Sequence, residues 1–233
     1  GADNVFSPLG KTTAENFDQL KNNNSAVREH RDPAISAQPF YASLFDPDEV
    51  FIKNGEQHYT KFEQLLIASI SDALNNSGLD AKDKNTVLII SSTKGNVALL
   101  ETEQNNAELQ KRIALSTSAK LVAEYFGFVH QPISISNACV SGVMGIIHGM
   151  RLLRSGHYEN AVITGADVIS KFIMSGFDSF QALSPQVCRP FDQSRDGLNL
   201  GEGAATIILS TKKKYEHSIK VLGGAVSNDA NHI

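Results

Sequence analysis

Short apolar runs alternate with long amphipathic stretches along this chain, and the alternation leaves few architectures open. Thr86-Val87-Leu88-Ile89-Ile90 is continuously apolar, the form a strand takes when helices cover both of its faces. Between His58 and Asn76, Phe62, Leu65, Leu66, Ser69, Ile70, Ala73 and Leu74 recur at helical spacing, and Gly78 supplies the stop. The same reading predicts a helix over Glu108 to Phe126 closed by Gly127, a strand over Ile133 to Ser136 and a helix over Val140 to Ser155 ended by Gly156. A strand over Ala161 to Thr164 follows. Strands separated by helices of this length imply βαβ crossovers and a largely parallel sheet. Gly203 to Ser210 and Ile219 to Val226 read as two further strands. The residues before the Ser7-Pro8-Leu9-Gly10 turn read as another, and a helix follows from Thr12 or Thr13 to Lys21. Arg28 to Gly55 holds three of the seven prolines and reads as irregular surface chain.

A chain of 233 residues makes one large domain or a lobe and a half. Its formal net charge of −4 gives no field for gripping a phosphate backbone, so no nucleic-acid partner is expected. No apolar stretch approaches the roughly 20 residues of a membrane-spanning helix, and nothing at the amino terminus reads as a signal peptide. The two cysteines, Cys139 and Cys188, suit a reducing compartment, and the expected location is cytoplasmic. No His or Cys pair has zinc-ligand spacing, so no metal is expected. Gly201-Glu202-Gly203 opens a strand and not a helix, which removes the phosphate-cradling reading of its glycines.

The chemistry concentrates in Ile133-Ser134-Ile135-Ser136-Asn137-Ala138-Cys139-Val140-Ser141-Gly142. A short strand delivers the chain to a cysteine at a tight turn, and a helix begins directly behind it. Free N–H groups and the positive end of the helix dipole favour thiolate over thiol at such a place. The backbone N–H of Cys139 is also placed to meet an oxyanion forming on an attacked carbonyl. Gly142, Gly145 and Gly149 share a face of this helix, each at a cost of about 1 kcal/mol relative to alanine. Close packing is the expected compensation, with the helix buried at the centre of the fold and Cys139 at the base of a pocket. Cys188, in a Pro-Gln-Val-Cys-Arg-Pro loop, has no such support.

Four ordered segments make the chain recognisable. They are Ser136-Asn137-Ala138-Cys139-Val140-Ser141-Gly142, Val162-Ile163-Thr164-Gly165-Ala166-Asp167, Ala182-Leu183-Ser184 with Arg189-Pro190-Phe191-Asp192, and Arg195-Asp196-Gly197-Leu198-Asn199-Leu200-Gly201-Glu202-Gly203-Ala204. Together they resemble the β-ketoacyl-acyl-carrier-protein synthases, the condensing enzymes of fatty acid and polyketide synthesis. Ser7-Pro8-Leu9-Gly10 and Ser227-Asn228-Asp229-Ala230-Asn231-His232 extend the resemblance over nearly the whole chain. It implies an α/β, thiolase-like layered αβαβα fold, of which this chain is the amino-terminal half only: residues 1–218 as that half and 219–233 as a strand and the start of the connection to a carboxy-terminal half. It also implies a homodimer or a condensing heterodimer. Cys139 falls on the acyl-accepting nucleophile. The implied partners are acyl carrier protein and acyl and malonyl thioesters carried on its phosphopantetheine, with no cofactor bound.

The departures from the family pattern are equally specific. The two histidines that promote decarboxylation there lie in contexts absent here, and none of His30, His58, His130, His148, His157, His217 and His232 has that setting. His148, nine residues after Cys139, falls on the opposite face of its helix. The second oxyanion donor of the family also belongs to the other half, so the chain alone is expected not to condense. Ser92-Thr93-Lys94-Gly95-Asn96-Val97 puts Lys94 where relatives gate the acyl tunnel with an aliphatic residue. A buried unpaired ammonium is costly, so Lys94 reaches solvent or the pocket is more polar than usual. A non-catalytic, chain-length-factor-like subunit is the competing reading.

Phe177 and Phe180 are candidates for the acyl pocket, as are Lys94 and, near the approach, His232. Asp192, Arg195, Asp196 and Glu202 read as a charged loop that fixes its own conformation. Arg151 and Arg154 complement the dipole at the end of the nucleophile helix. They are alternatively, with Lys111, Arg112 and Lys120, a basic docking patch for an acidic carrier protein.

Overall fold

The computed structural model describes residues 2–49, 51–52, 59–212 and 219–227. In chain order the elements are β1 (Asp3–Phe6), α1 (Thr13–Lys21), β2 (Arg28–His30), β3 (Phe40–Ser43), α2 (Lys61–Ser77), β4 (Thr86–Ser91) and a 3-10 turn (Val97–Glu101). There follow α3 (Ala107–Ile113), α4 (Leu115–Phe126), β5 (Ile133–Ile135), α5 (Ser141–Arg154), β6 (Asn160–Asp167), α6 (Lys171–Ser179), β7 (Leu200–Gly201) and β8 (Gly203–Ser210).

The main sheet has the order β1-β8-β6-β4-β5. β4 pairs parallel with both β5 and β6, and β8 pairs antiparallel with both β6 and β1. Only β8 therefore runs against the common direction, and the expected largely parallel sheet is present.

Alternation along β4 sorts its side chains between two layers. Leu88 and Ile90 join one core with α2, α4, Val162 and Ile208, whereas Val87 and Ile89 join another with Ala161, Ile163 and Leu153 of α5. The result is one sheet between two helical layers. α2 carries the first core: Phe62, Leu65, Leu66, Ile67 and Ile70 are fully buried, each contributing on the order of 1.5–3 kcal/mol by leaving water. Its start is fixed by Thr60, whose Oγ1 accepts from Glu63 N–H while the Glu63 carboxylate accepts from Thr60 N–H. Its end is fixed by Gly78, left-handed at φ 62°.

Four expectations are corrected. The helix over Glu108 to Phe126 is two helices, broken at Ala114, whose φ/ψ of −62°/128° are extended. The break lets Arg112 on α3 and Ser118 on α4 both reach the buried carboxylate of Glu63 on α2, a demand that no local pattern announces. The stretch from Arg28 is not wholly irregular, because β2 and β3 form a second small sheet with β7. Phe40 and Ala42 are buried there with Met174.

Ile219–Val226 is not a strand. Its carbonyls at Val221 and Leu222 accept from the Arg154 guanidinium at 3.5 and 2.6 Å instead of entering a ladder, and Ile219 is 97% exposed. Finally, α5 is buried on one face only. Gly145 and Gly149 sit against β4 and β6, but nothing lies within 4 Å of a Cβ built on Gly142, and Val143 is 53% exposed. Among the described residues no layer covers that side.

Candidate functional site

β5 ends at Ile135, and the next turn is held by Ser141. Its hydroxyl accepts from Asn137 N–H at 2.8 Å and donates to the Ala138 carbonyl at 2.7 Å. Ala138 is forced to φ 43°, a conformation that costs a residue with a Cβ about 1 kcal/mol or more. The strained turn lifts Cys139 clear of the sheet just before α5 begins. Its thiol is free and exposed. α5 starts at Ser141 with no side chain capping its first turn, which leaves amide donors at that end for a ligand to meet.

Cys139 opens onto a cavity of about 790 Å³, walled by Ser91 at the end of β4 with Thr93 and Lys94 beyond it, Asp167 at the end of β6, Ile173 and Phe177 of α6, and Gly203 to Ala205 of β8. The carboxyl ends of β4, β5 and β6 converge on it, the place where open α/β sheets bind their ligands. Small residues bring α5 down onto this floor. A Cβ on Gly145 would come within 2.6 Å of Ser91 Oγ and 2.9 Å of Ile163, and one on Gly165 within 2.8 Å of the Ser91 carbonyl.

Glu202 braces one wall. Its carboxylate is buried and accepts from Lys61 Nζ at 2.6 Å, from Phe45 N–H at 3.1 Å and from Ile169 N–H at 3.3 Å. This tie joins β3, α2 and the approach to α6 beside the cavity residues Leu200, Gly201 and Gly203. Glu202 is thus not part of the self-fixing charged loop, which consists of the other three residues. There Asp196 accepts from Ser184 and Gln186, Asp192 from Ser194, and Arg195 donates to the Asp192 carbonyl. Hydrogen bonds from Gln186 and Ser184 hold the Asp196 carboxyl below its ordinary range.

The loop of Lys94 is anchored from beneath. Asn96 is 3% exposed and donates to Glu63 at 3.0 Å and to Ser118 at 2.9 Å, while accepting from Thr60 Oγ1 at 2.7 Å. Lys94 Nζ donates to Thr93 Oγ1 at 2.8 Å and stands 3.9 Å from Asp167 Oδ1. Enclosure raises the Asp167 carboxyl above its usual range, and the Lys94 ammonium opposes the rise. The Asp167 side chain still keeps 54% of its surface open, so water screens much of that effect.

Of the residues singled out in the sequence, Cys139, Lys94 and Phe177 meet at one cavity. Phe180 does not join them: it follows the last turn of α6, is 63% exposed and is not among the residues that wall the cavity. His232 lies outside the described residues. Asp167, Gly203 and Ala204 stand in the sequence only as parts of the recognisable segments, and the fold adds them to the cavity wall at the strand ends. In the basic set, Arg112 is committed to Glu63 and Arg154 to the Leu222 carbonyl, which leaves Arg151, Lys111 and Lys120 exposed. Among the described residues no cluster of His, Cys, Asp and Glu is arranged to hold a metal, and no helix is long and apolar enough to cross a membrane.

The chain is 29% identical to 3-oxoacyl-[acyl-carrier-protein] synthase 2 of Vibrio cholerae, over 98% of this chain and 62% of that protein. It thus spans about three fifths of the length of the curated relatives it matches. Among solved structures, the ishigamide ketosynthase/chain length factor superposes with a TM-score of 0.79 at 23% identity, covering 95% of this chain and 61% of that one. The ketosynthase ApeO in complex with its chain length factor ApeC, from Xenorhabdus doucetiae, gives 0.75 at 22% identity, covering 91% and 57%. These likenesses establish the fold as the amino-terminal portion of the layered ketosynthase architecture. Residues 4–215 match the family model described as "Beta-ketoacyl synthase, N-terminal domain", and the chain belongs to that family.

Proposed function

We propose that this chain is the acyl-accepting half of a 3-oxoacyl-acyl-carrier-protein synthase, with Cys139 as nucleophile. The observation that carries the reading is a free, exposed thiol ahead of the uncapped start of α5, opening onto the 790 Å³ cavity at the strand ends. Cys139 Sγ, as thiolate, attacks the carbonyl carbon of an acyl thioester. The carbonyl oxygen takes the negative charge and meets amide donors at the turn, the Cys139 N–H among them. Collapse breaks the bond to the pantetheine sulfur, which leaves as thiolate and takes up a proton. The acyl group is then held on the enzyme, which splits one difficult step into two easier ones.

In the second stage malonyl thioester loses carbon dioxide, and its carbanion attacks the acyl-enzyme carbonyl and expels Cys139. The product is a 3-oxoacyl thioester two carbons longer. The histidines for decarboxylation and the second oxyanion donor are supplied by a carboxy-terminal half, so residues 1–233 alone accept an acyl group without condensing it. That half, or a partner subunit, covers the open face of α5 at Val143. The assembly is a homodimer or a condensing heterodimer, working in the cytoplasm on substrates carried by phosphopantetheine of acyl carrier protein, which docks on exposed basic residues such as Arg151 and Lys120.

The test is mass spectrometry after incubation with an acyl-acyl-carrier-protein thioester. An acyl adduct on the Cys139 peptide, absent in Cys139→Ala, is expected. A charged residue in the cavity, Lys94, favours a second reading as a chain-length-factor-like subunit, and an unlabelled Cys139 decides for it.

A further inference from the structure

The Cys139 cavity is two-sided. Ile173 and Phe177 give one apolar wall, while Thr93, Lys94 and Asp167 give a polar one. The Lys94 side chain is 28% exposed and lines the cavity, so it is partly enclosed. Of its three donors, one is used on Thr93 Oγ1 at 2.8 Å, and Asp167 at 3.9 Å lies beyond hydrogen-bond length. Asp167 tempers the charge without satisfying the donors. Nor is the ammonium there by accident of a floppy loop. Asn96, two residues on, is buried with three side-chain hydrogen bonds, and Ser92 Oγ accepts from the N–H groups of Lys94 and Gly95 at 3.3 and 3.1 Å.

A saturated acyl chain laid into this cavity would strip water from the remaining donors and return nothing for it, a penalty for any buried charge. A chain bearing an oxygen function replaces that water with an acceptor while its carbons lie on the Phe177 wall. We propose that Lys94 is a specificity-determining residue and that the cavity takes acyl groups carrying an oxo or hydroxy substituent in preference to saturated ones. This rests on the reading of Cys139 as acyl acceptor. Sites built to hydrogen-bond a substrate oxygen discriminate strongly against analogues that lack it. The partial access of water to Lys94 reduces the expected preference to about tenfold.

The experiment offers the full chain equal amounts of a 3-oxoacyl- and a saturated acyl-carrier-protein thioester of the same length, and reads the two adducts on the Cys139 peptide by mass. The oxygenated adduct is expected in about tenfold excess. Lys94→Met brings the ratio close to one and Lys94→Arg keeps it, with thermal unfolding confirming that both variants fold. Equal labelling by both thioesters in the unmodified chain overturns the selectivity while leaving the acceptor role standing, as does a preference that survives Lys94→Met. Labelling by neither overturns both.

Discussion

Arg112 grips Glu63 with both terminal nitrogens of its guanidinium, Nη1 to Oε1 at 2.5 Å and Nη2 to Oε2 at 2.6 Å. Glu63 has no exposed surface, and Ser118, Asn96 and Thr60 N–H complete its shell. A bidentate pair of this kind is stable only while both charges are present, because each alone leaves the other buried and uncompensated. Arg112→Met is therefore expected to destabilise the chain by about 3–5 kcal/mol, read as a shift in the urea midpoint. Arg112→Met combined with Glu63→Met removes both charges but leaves Asn96, Ser118 and Thr60 N–H without their acceptor, so it should recover only part of the loss. A double variant no better than the single one would show that the pair is worth more than its burial costs.

The same carboxylate sets an acid limit. Burial by itself would raise the Glu63 pKa, but the Arg112 pair, Thr60 N–H and the Ser118 hydroxyl outweigh it and hold it below the ordinary glutamate range. A group depressed in the folded state binds its proton more readily when unfolded, so its contribution is fully present above the unfolded pKa. It is lost as pH falls toward the folded value. Stability measured by urea titration should decline as pH drops below the ordinary glutamate pKa, and Glu63→Gln should flatten that part of the profile while lowering stability near neutrality.

Ser91 Oγ is buried without a hydrogen-bond partner among the described residues, and it faces Gly145. Ser91→Ala removes an unsatisfied hydroxyl and is expected to be neutral or to stabilise by up to about 1 kcal/mol. Gly145→Ala drives a methyl against Ser91 Oγ and Ile163 and is expected to cost about 1–3 kcal/mol. Because both substitutions act at one contact, the pair should be less harmful than the two effects added. Strict additivity in thermal unfolding would argue that the two groups do not touch.

The open side of α5 separates folding from assembly. Val143 is 53% exposed on the open side of α5, so Val143→Glu should change the stability of residues 1–233 by no more than about 1 kcal/mol. In a complete condensing enzyme the same change should abolish association, measured by size-exclusion chromatography with light scattering. A large loss of stability in the isolated chain would mean that the face is already covered.

Residue periodicity locates β4, β5, α5 and β8 to within a residue and finds α2 and β6 with ends up to three residues off, because each has a clear period or a continuous apolar run, whereas α6 carries no signal that the reading used. It placed Cys139 at the helix entrance for the same reason. What it missed depended on distant partners. The break at Ala114 serves a carboxylate on α2, and β3 pairs with β2 and with β7, the latter more than a hundred residues later. Ile219–Val226 has strand composition but no ladder to join. Glu202 reads as one more charge in an acidic-basic loop, and only the fold shows it turned inward to Lys61. Phe177 and Phe180, three apart at the end of α6, look alike in sequence, and the helix end sends one to the cavity and the other to solvent.

β8 lies between β1 and β6 and pairs Asp3 with Ile207. Among the described residues β1 therefore has no ladder neighbour until translation has passed residue 210, and closing so long a loop is slow. A nascent chain on the ribosome carries β1 without its strand partner until β8 is made, although Phe6 can already pack against Phe45 and α2, and the cavity gains its last wall in the same late event. Chaperone capture during that interval is the consequence to look for, and ribosome-bound chains stopped before Gly203 are where it would be greatest.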